Sequence, residues 1–410
     1  MDLKSAFDTI DHKILLERLH SDFAISGTAL KWFKSYLTGR HFRVNIRNEN
    51  SDEYPLHYGV PQGSVLGPQL FTLYIKPLGD IIRNHNIQFH IYADDIQMYH
   101  SFDPKNTESL HHAISVIEKC IGDVKQWMVI NKLQLNEAKT EALLLVSPKL
   151  NHHLPNRVSI SIGDVSVVPS GSVKTLGVHI DSSLSMSSQV TALCKSLNFH
   201  LYNICRVRKM LTKEARSHAV RSLVLSRLDY SNSMLINANK VDIDRLQRIQ
   251  NRAARFVCRA RKYDRATPLL KQLHWLPVER RISYKVALIV YKCIHEFAPE
   301  YLMNLLSPQR RSSYRLRSSA DTTILHVPRI DSKRGKQVLI SVVQKYGIVC
   351  QHMFDYVHRL THLSRSSRHI CSYFKNCKVI LSGELYVKRI EQFSLIMRYI
   401  SVSLLLLLLL

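Results

Sequence analysis

Apolar positions along this chain recur with two periods, and the places where the period changes mark its elements. Residues 1–20 read as a short extended start followed by a helix, because Ile14, Leu15, Arg18 and Leu19 fall at helical spacing. Residues 26–38, SGTALKWFKSYLT, predict a capped helix that stops near Gly39. HFRVNIRN alternates as a strand does, and GVPQGSVLGPQLFTLYIKPLGDII reads as a Gly- and Pro-rich turn opening a helix. IQFHIYADDIQMYH predicts two short strands joined as a hairpin, with Asp94 and Asp95 between them. A helix follows over 107–134, then strands at TEALLLVS, VSISIGDVSVV and VKTLGVHID, the last with a glycine inside it. From 190 to about 305 the spacing is helical and the polar positions are basic; after about 337 periodicity weakens and Cys, His and Ser rise.

Adjacent acids in the YADD stretch break the strand pattern. Successive strand side chains point to opposite faces, so two neighbouring carboxylates cannot both sit in a core. Acids are scarce here: the 410 residues include 57 Lys and Arg against 32 Asp and Glu, for a formal charge of +25. A hydrophobic fraction of 45% excludes a disordered chain. The excess charge favours a polyanionic partner, either nucleic acid or an anionic membrane. Its distribution is uneven: residues 1–100 carry 10 basic and 11 acidic residues, 101–190 carry 8 of each, and 191–410 carry 39 and 13. The two halves therefore have different tasks.

The eight cysteines include no CxxC pair, which suits a reduced, intracellular chain, nuclear or cytoplasmic. His358, His362, His369, Cys371 and Cys377 gather without the spacing of a zinc module. MDLKSAFDTI has no signal-peptide pattern. The final apolar run, Tyr399 to Leu410, is 12 residues long, short of the roughly 20 a spanning helix needs, so no membrane partner is expected.

Three segments within the first 100 residues point to chemistry. MDLKSAFD ends an extended entry at Asp2 and reaches Asp8 in the helical run; YGVPQGSVLGPQLF is a glycine-rich loop opening a helix; YADD is a hairpin tip. Carboxylates from two strands can hold two Mg²⁺ ions side by side, and those ions neutralise a repulsion that is costly otherwise. Such a pair activates the attacking oxygen and stabilises the leaving one in phosphoryl transfer. Glycines at 59–67 let a backbone approach a nucleotide closely. Each segment is common alone; together and in this order they are specific.

On these residues the chain resembles the reverse transcriptases of non-LTR, LINE-type retrotransposons, jockey-like elements among them. DLKSAFDTIDH is similar to their first palm motif, GVPQGSVLGPQLF to the second, YADD to the metal-binding hairpin, LNEAKTEALLL to the fourth and VKTLGVHID to the segment before the thumb. SRLDYSNSML, RLQRIQNRAARF and LHWLPVERRISYKVALIVYKCIH extend the resemblance, which fades after about Lys336. It implies an α+β fold: a polymerase palm with an antiparallel sheet and helices on one face over 1–181, then a helical thumb and basic extension over 182–305. Residues 306–410 are expected to form a degenerate or irregular tail. The resemblance further implies RNA-directed DNA synthesis from a dNTP onto a primer 3′-hydroxyl, with an RNA template, a DNA primer and two Mg²⁺. Asp2, Asp94 and Asp95 would bind metal. Phe7 would lie under the incoming sugar, Gln62 and Gly63 along the nucleotide and template path, and Lys139 would be an acid for pyrophosphate. Asp8 is expected to play a supporting part.

DIDRLQRIQNRAARFVCRA adds a second candidate. At 100° per residue Arg245, Arg248, Arg252, Arg255 and Arg259 share an arc of about 80°, opposite Leu246, Ile249, Ala253, Phe256 and Val257. With no acid on that stripe, phosphate contact is expected, since guanidinium forks bind phosphate bidentately. Against the family pattern, no fingers region precedes Asp2, so the expectation is an N-terminally truncated domain whose first strand frays. The alternative class is a non-catalytic, nucleic-acid-binding relic of a mobile element.

Overall fold

The computed structural model describes residues 1–155 and 157–304; the expected tail, with its His/Cys group and leucine run, lies outside the described residues. The fold is α+β. Its described residues divide into two compact units, one of Met1–Val173 and one that starts at Lys174.

In the first unit, helix α1 (His12–Ser21) starts where the Asp11 carboxylate accepts hydrogen bonds from the backbone of Lys13 and Ile14. Its apolar stripe buries Leu15 and Leu19. Helix α2 (Gly27–Leu37) follows, then an exposed ribbon made of β1 (His41–Phe42), β2 (Asn45–Ile46), β3 (Glu49–Asn50) and β4 (Tyr54–Pro55). β2 pairs with β3 and β1 with β4, so HFRVNIRN is two strand fragments rather than one strand. The turn at Arg47 and Asn48 has φ of 52° and 70°, the pair of left-handed residues that a tight hairpin requires.

Helices α3 (Gly67–Ile75) and α4 (Leu78–Asn84) lead into the hairpin β5 (Gln88–Tyr92) and β6 (Asp95–Tyr99), and the long helix α5 (Thr107–Ile130) follows. Asn106 caps α5 by accepting from the Glu108 and Ser109 amides. Leu110, Ala113, Cys120, Ile121, Val124 and Met128 form its buried stripe. VSISIGDVSVV forms a hairpin, β7 (Ile160–Ile162) and β8 (Val165–Val167), turned at Gly163. TEALLLVS carries no strand assignment. VKTLGVHID is two strands, β9 (Ser172–Thr175) and β10 (Val178–Asp181), because Leu176 and Gly177 are both left-handed. Among the described residues the strands make five two-stranded antiparallel sheets, where a single sheet was expected.

One knot of polar contacts ties α1, α3 and α5 together inside this core. Tyr74, fully buried, donates its hydroxyl to the Asn131 carbonyl at 2.6 Å. Arg18 donates to the Tyr74 carbonyl and to Asn131 Oδ1 and stacks over the Tyr74 and Trp127 rings. That explains an arginine at an apolar-spaced position: its stem lies in the core and its head is fully engaged.

After β10 the described residues of the second unit are helical: α6 (Ser187–Arg206), α7 (Lys213–Val220), α8 (Ser226–Asp229), α9 (Lys240–Cys258), α10 (Ala266–Gln272), α11 (Val278–Ile294) and α12 (Glu300–Met303). A π-helical turn, Arg221–Leu225, joins α7 to α8. Leu193, Leu197, Leu201 and Ile204 of α6 and Leu246, Ile249, Ala253 and Val257 of α9 are buried. Among the described residues no helix is long and apolar enough to cross a membrane.

Replacing Tyr74 with Phe leaves the buried Asn131 carbonyl without its donor. A loss of about 1–3 kcal/mol in unfolding free energy, measured by urea titration, is the expected result.

Candidate active site

Residues 1–4 form an extended segment paired on both sides. The Met1 α-ammonium donates to the Ile96 carbonyl at 2.8 Å, and the Ile96 amide donates back to the Met1 carbonyl at 3.1 Å. On the other side Leu3 bridges Leu135, the Lys4 amide donates to Gln134, and the Asn136 amide donates to the Asp2 carbonyl at 2.9 Å. Leu3, Ile96 and Leu135 are all buried in one core. The expected fraying of this entry is therefore not what the structure has: burial of Leu3 and two rows of backbone bonds hold it.

That pairing fixes the acids. Residues that exchange both backbone bonds lie directly opposite in an antiparallel ladder. With Met1 opposite Ile96, Asp2 stands opposite Asp95, and opposed side chains share a face about 4.5–5.5 Å apart at Cβ. Leu3 and Ile96 point inward, so the two carboxylates point outward. Asp94 sits at the hairpin tip between Ala93 and Asp95, since Tyr92 pairs with Asp95. Ala93 has φ of 49°, a left-handed conformation unfavourable for any residue with a Cβ.

The electrostatics follow from this crowding. Burial pushes the Asp95 pKa upward, Asp94 and Asp2 push it further, and the α-ammonium opposes them. Burial likewise lowers the α-ammonium pKa, against the pull of Asp95, Asp2 and Glu141. Lys139 brings its Nζ to 3.8 Å from Asp2 Oδ2 while its side chain stays 72% exposed. Asp2, Asp95, Asp94 and Lys139 are thus one neighbourhood, and it includes Asn136 and Glu141, which sequence reasoning passed over. Both lie in the LNEAKTEALLL motif, so the signal was present without a way to assign it.

A second group forms around the turn at residues 5–8. Asp8 closes that turn through its amide bond to the Ser5 carbonyl and is not helical, contrary to expectation, because α1 begins only at His12. Gln62 Nε2 donates to Asp8 Oδ1 at 2.8 Å, which gives Asp8 its supporting part. The Val60 amide donates to the Phe7 carbonyl, the Gly59 amide to Ile10, and His12 Nε2 lies 2.7 Å from the Gly59 carbonyl. Gly59 has φ of 84°, and a Cβ there would stand 2.9 Å from the Asp8 Cα, so only glycine permits the loop to dock. The half-buried Phe7 ring rests on Phe71, centroids 4.8 Å apart. At Gly63 a Cβ would meet nothing within 4 Å, leaving its backbone open.

The donor chemistry, carboxylate oxygens only, is of the kind that suits a hard divalent cation. Among the described residues, however, no three His, Cys, Asp or Glu side chains converge as a metal cage.

The arginine stripe lies in the second unit and differs from expectation in two respects. Arg245 ion-pairs with the buried Asp242 at 2.9 Å, so the stripe does have an acid at its edge, one helical turn back. Arg259 is the left-handed cap, φ 54°, beyond the end of α9 and off the helical arc. Arg245 also reaches Thr191 and Arg252 reaches Asn198, both on α6; Arg248 and Arg255 donate to the carbonyls of Asp244 and Asp264.

Residues 1–180 match the family described as reverse transcriptase (RNA-dependent DNA polymerase). A probable RNA-directed DNA polymerase from transposon BS of Drosophila melanogaster is 26% identical over 291 residues, 69% of this chain and 31% of the relative. Another, from transposon X-element of the same fly, is 27% identical over 278 residues, 67% of this chain and 29% of the relative. The RNA-directed DNA polymerase from mobile element jockey of Drosophila funebris is 22% identical over 273 residues, 65% and 28%. The matched region therefore spans about three tenths of the relatives' length.

A carboxylate whose folded pKa is raised costs stability once it ionises, so its burden is absent at low pH and grows as pH rises through the folded value. Asp95→Asn is expected to raise the melting temperature at pH 7. The gain over the parent should shrink as pH falls towards the ordinary carboxylate range, a trend scanning calorimetry would follow.

Proposed function

We propose that this chain, a LINE-type reverse transcriptase over residues 1–180, builds its polymerase centre on the cross-strand pair Asp2 and Asp95 together with Asp94. The observation that carries this reading is the Met1–Ile96 exchange of backbone bonds, which aligns the first motif with the YADD hairpin. The reaction is RNA-templated DNA synthesis: a primer 3′-oxygen bonds to the α-phosphorus of a dNTP and pyrophosphate leaves. Met1–Val173 serves as the palm, and the helical unit after it as thumb and basic extension.

Asp2, Asp94 and Asp95 would hold two Mg²⁺ ions, which on binding supply a more acidic 3′-hydroxyl and charge stabilisation at the leaving oxygen. The remaining work falls to the chain's own groups. Phe7, braced by Phe71, forms a rigid floor beneath the incoming sugar and leaves no room for a 2′-hydroxyl. Gln62 is oriented by Asp8 to face the nucleotide, and the open backbone at Gly63 lets the template base pair approach. Lys139, near Asp2 but mostly exposed, is free to turn and protonate the departing pyrophosphate.

Primer extension by the full chain on a homopolymer RNA template with Mg²⁺ tests the proposal. Incorporation that drops about 100-fold or more in Asp94→Asn is expected, because a metal ligand stabilises several kcal/mol of developing charge. No incorporation at any protein concentration would overturn it. In the same assay Phe7→Ala should raise ribonucleotide use relative to deoxyribonucleotide use; an unchanged ratio would remove Phe7 from the sugar floor.

A further inference from the structure

Helix α6 presents a stripe that the polymerase centre does not explain. Lys195, Phe199, Tyr202 and Arg206 recur at spacings of four, three and four, which sets them within an arc of about 60° on one face. All four are exposed, the two aromatics at 61% and 64%. Large rings left this open on a helix whose other face is a leucine core need a reason. α6 carries no acid over its 20 residues.

The stripe has basic residues along its α9 border, where Arg245 and Arg252 reach Thr191 and Asn198 of α6, two positions flanking the stripe. Arg248 stands near enough to Cys194 to act on its titration, as Arg252 does on Cys205. The exposed rings of α6 therefore run alongside a row of guanidinium groups on α9.

We propose that the α6 stripe, bordered by the α9 arginines, is a platform for single-stranded nucleic acid, on which Phe199 and Tyr202 stack unpaired bases while Lys195, Arg206, Arg248 and Arg252 hold the phosphates. This rests on the nucleic-acid reading above and deepens it by naming the ligand's conformation. A helix meant only for a duplex backbone has no use for two exposed rings, because paired bases hide their faces. A membrane surface would want the apolar residues grouped apart from the charges, whereas here they interleave, the arrangement that suits stacked bases joined by phosphates.

Fluorescence anisotropy of the full chain with a labelled single-stranded oligonucleotide and with its duplex, over a salt series, is the test. The double variant Phe199→Ala, Tyr202→Ala is expected to weaken single-strand binding about tenfold or more and to leave the salt slope and duplex binding as they were. Phe199→Trp with Tyr202→Trp should restore binding. Arg248→Gln with Arg252→Gln should instead flatten the salt slope, because fewer counterions are released. Unchanged single-strand affinity in the alanine pair, or an equal loss on duplex, would overturn the platform while leaving the polymerase proposal standing. Absence of binding to either form would overturn both the platform and the nucleic-acid reading beneath it.

Discussion

Two carboxylates are forced onto the same face of a strand pair, and the structure of the first unit is arranged to keep them there. Asp2 and Asp95 repel each other, and like charges directly opposite are destabilising. What holds them is apolar: Leu3 and Ile96 alternate with the acids and are buried together with Leu135. A one-residue slip of Met1–Lys4 would expose Leu3 and bury Asp2, which is why register here is strongly specified. The burden the acids impose is thus offset by the core on the opposite face of the same backbone.

The same logic extends to the turn that follows. Residues 5–12 and 59–62 interlock through backbone bonds, and Gly59 is the point where they touch. The contact gives Gln62 its partner, Asp8, and brings Phe7 onto Phe71. Behind it, the Tyr74, Arg18 and Asn131 knot ties the end of α5 to α3 and α1, just ahead of the segment in which Leu135 bridges Leu3. At the front, a left-handed Ala93 turns the hairpin that carries Asp94 and Asp95.

In the second unit the charge excess has a divided role. Some arginines on α9 serve the fold, since Arg245 is held by Asp242 and Thr191 and Arg252 by Asn198. Those contacts keep α6 and α9 in fixed relation, and guanidinium groups with five donors retain capacity for phosphate after one or two bonds are made. A structural and a binding part are therefore compatible in the same residue.

Much of this was legible in the sequence, and the remainder failed for identifiable reasons. The YADD hairpin, helices α1, α2 and α5 and the basic helical half follow from local period, with side-chain caps at Asp11 and Asn106 but none at the expected Ser26, and these signals depend on neighbours within a few residues. HFRVNIRN reads as a single strand because the break at Arg43 and Val44 leaves its alternation intact, and VKTLGVHID because a left-handed Leu176 is invisible to an apolar pattern. Arg245, Arg248, Arg252 and Arg255 of the expected arc lie on α9 while Arg259 falls beyond it, and the α6 partners of Arg245 and Arg252, 54 positions away, could not be inferred from the spacing. Sequence by itself determined which acids exist, their order and the turn that carries two of them. Only the tertiary structure decided that Asp2 faces Asp95: the register between segments 95 residues apart is set by which side chains can share a core, and no local spacing contains that information.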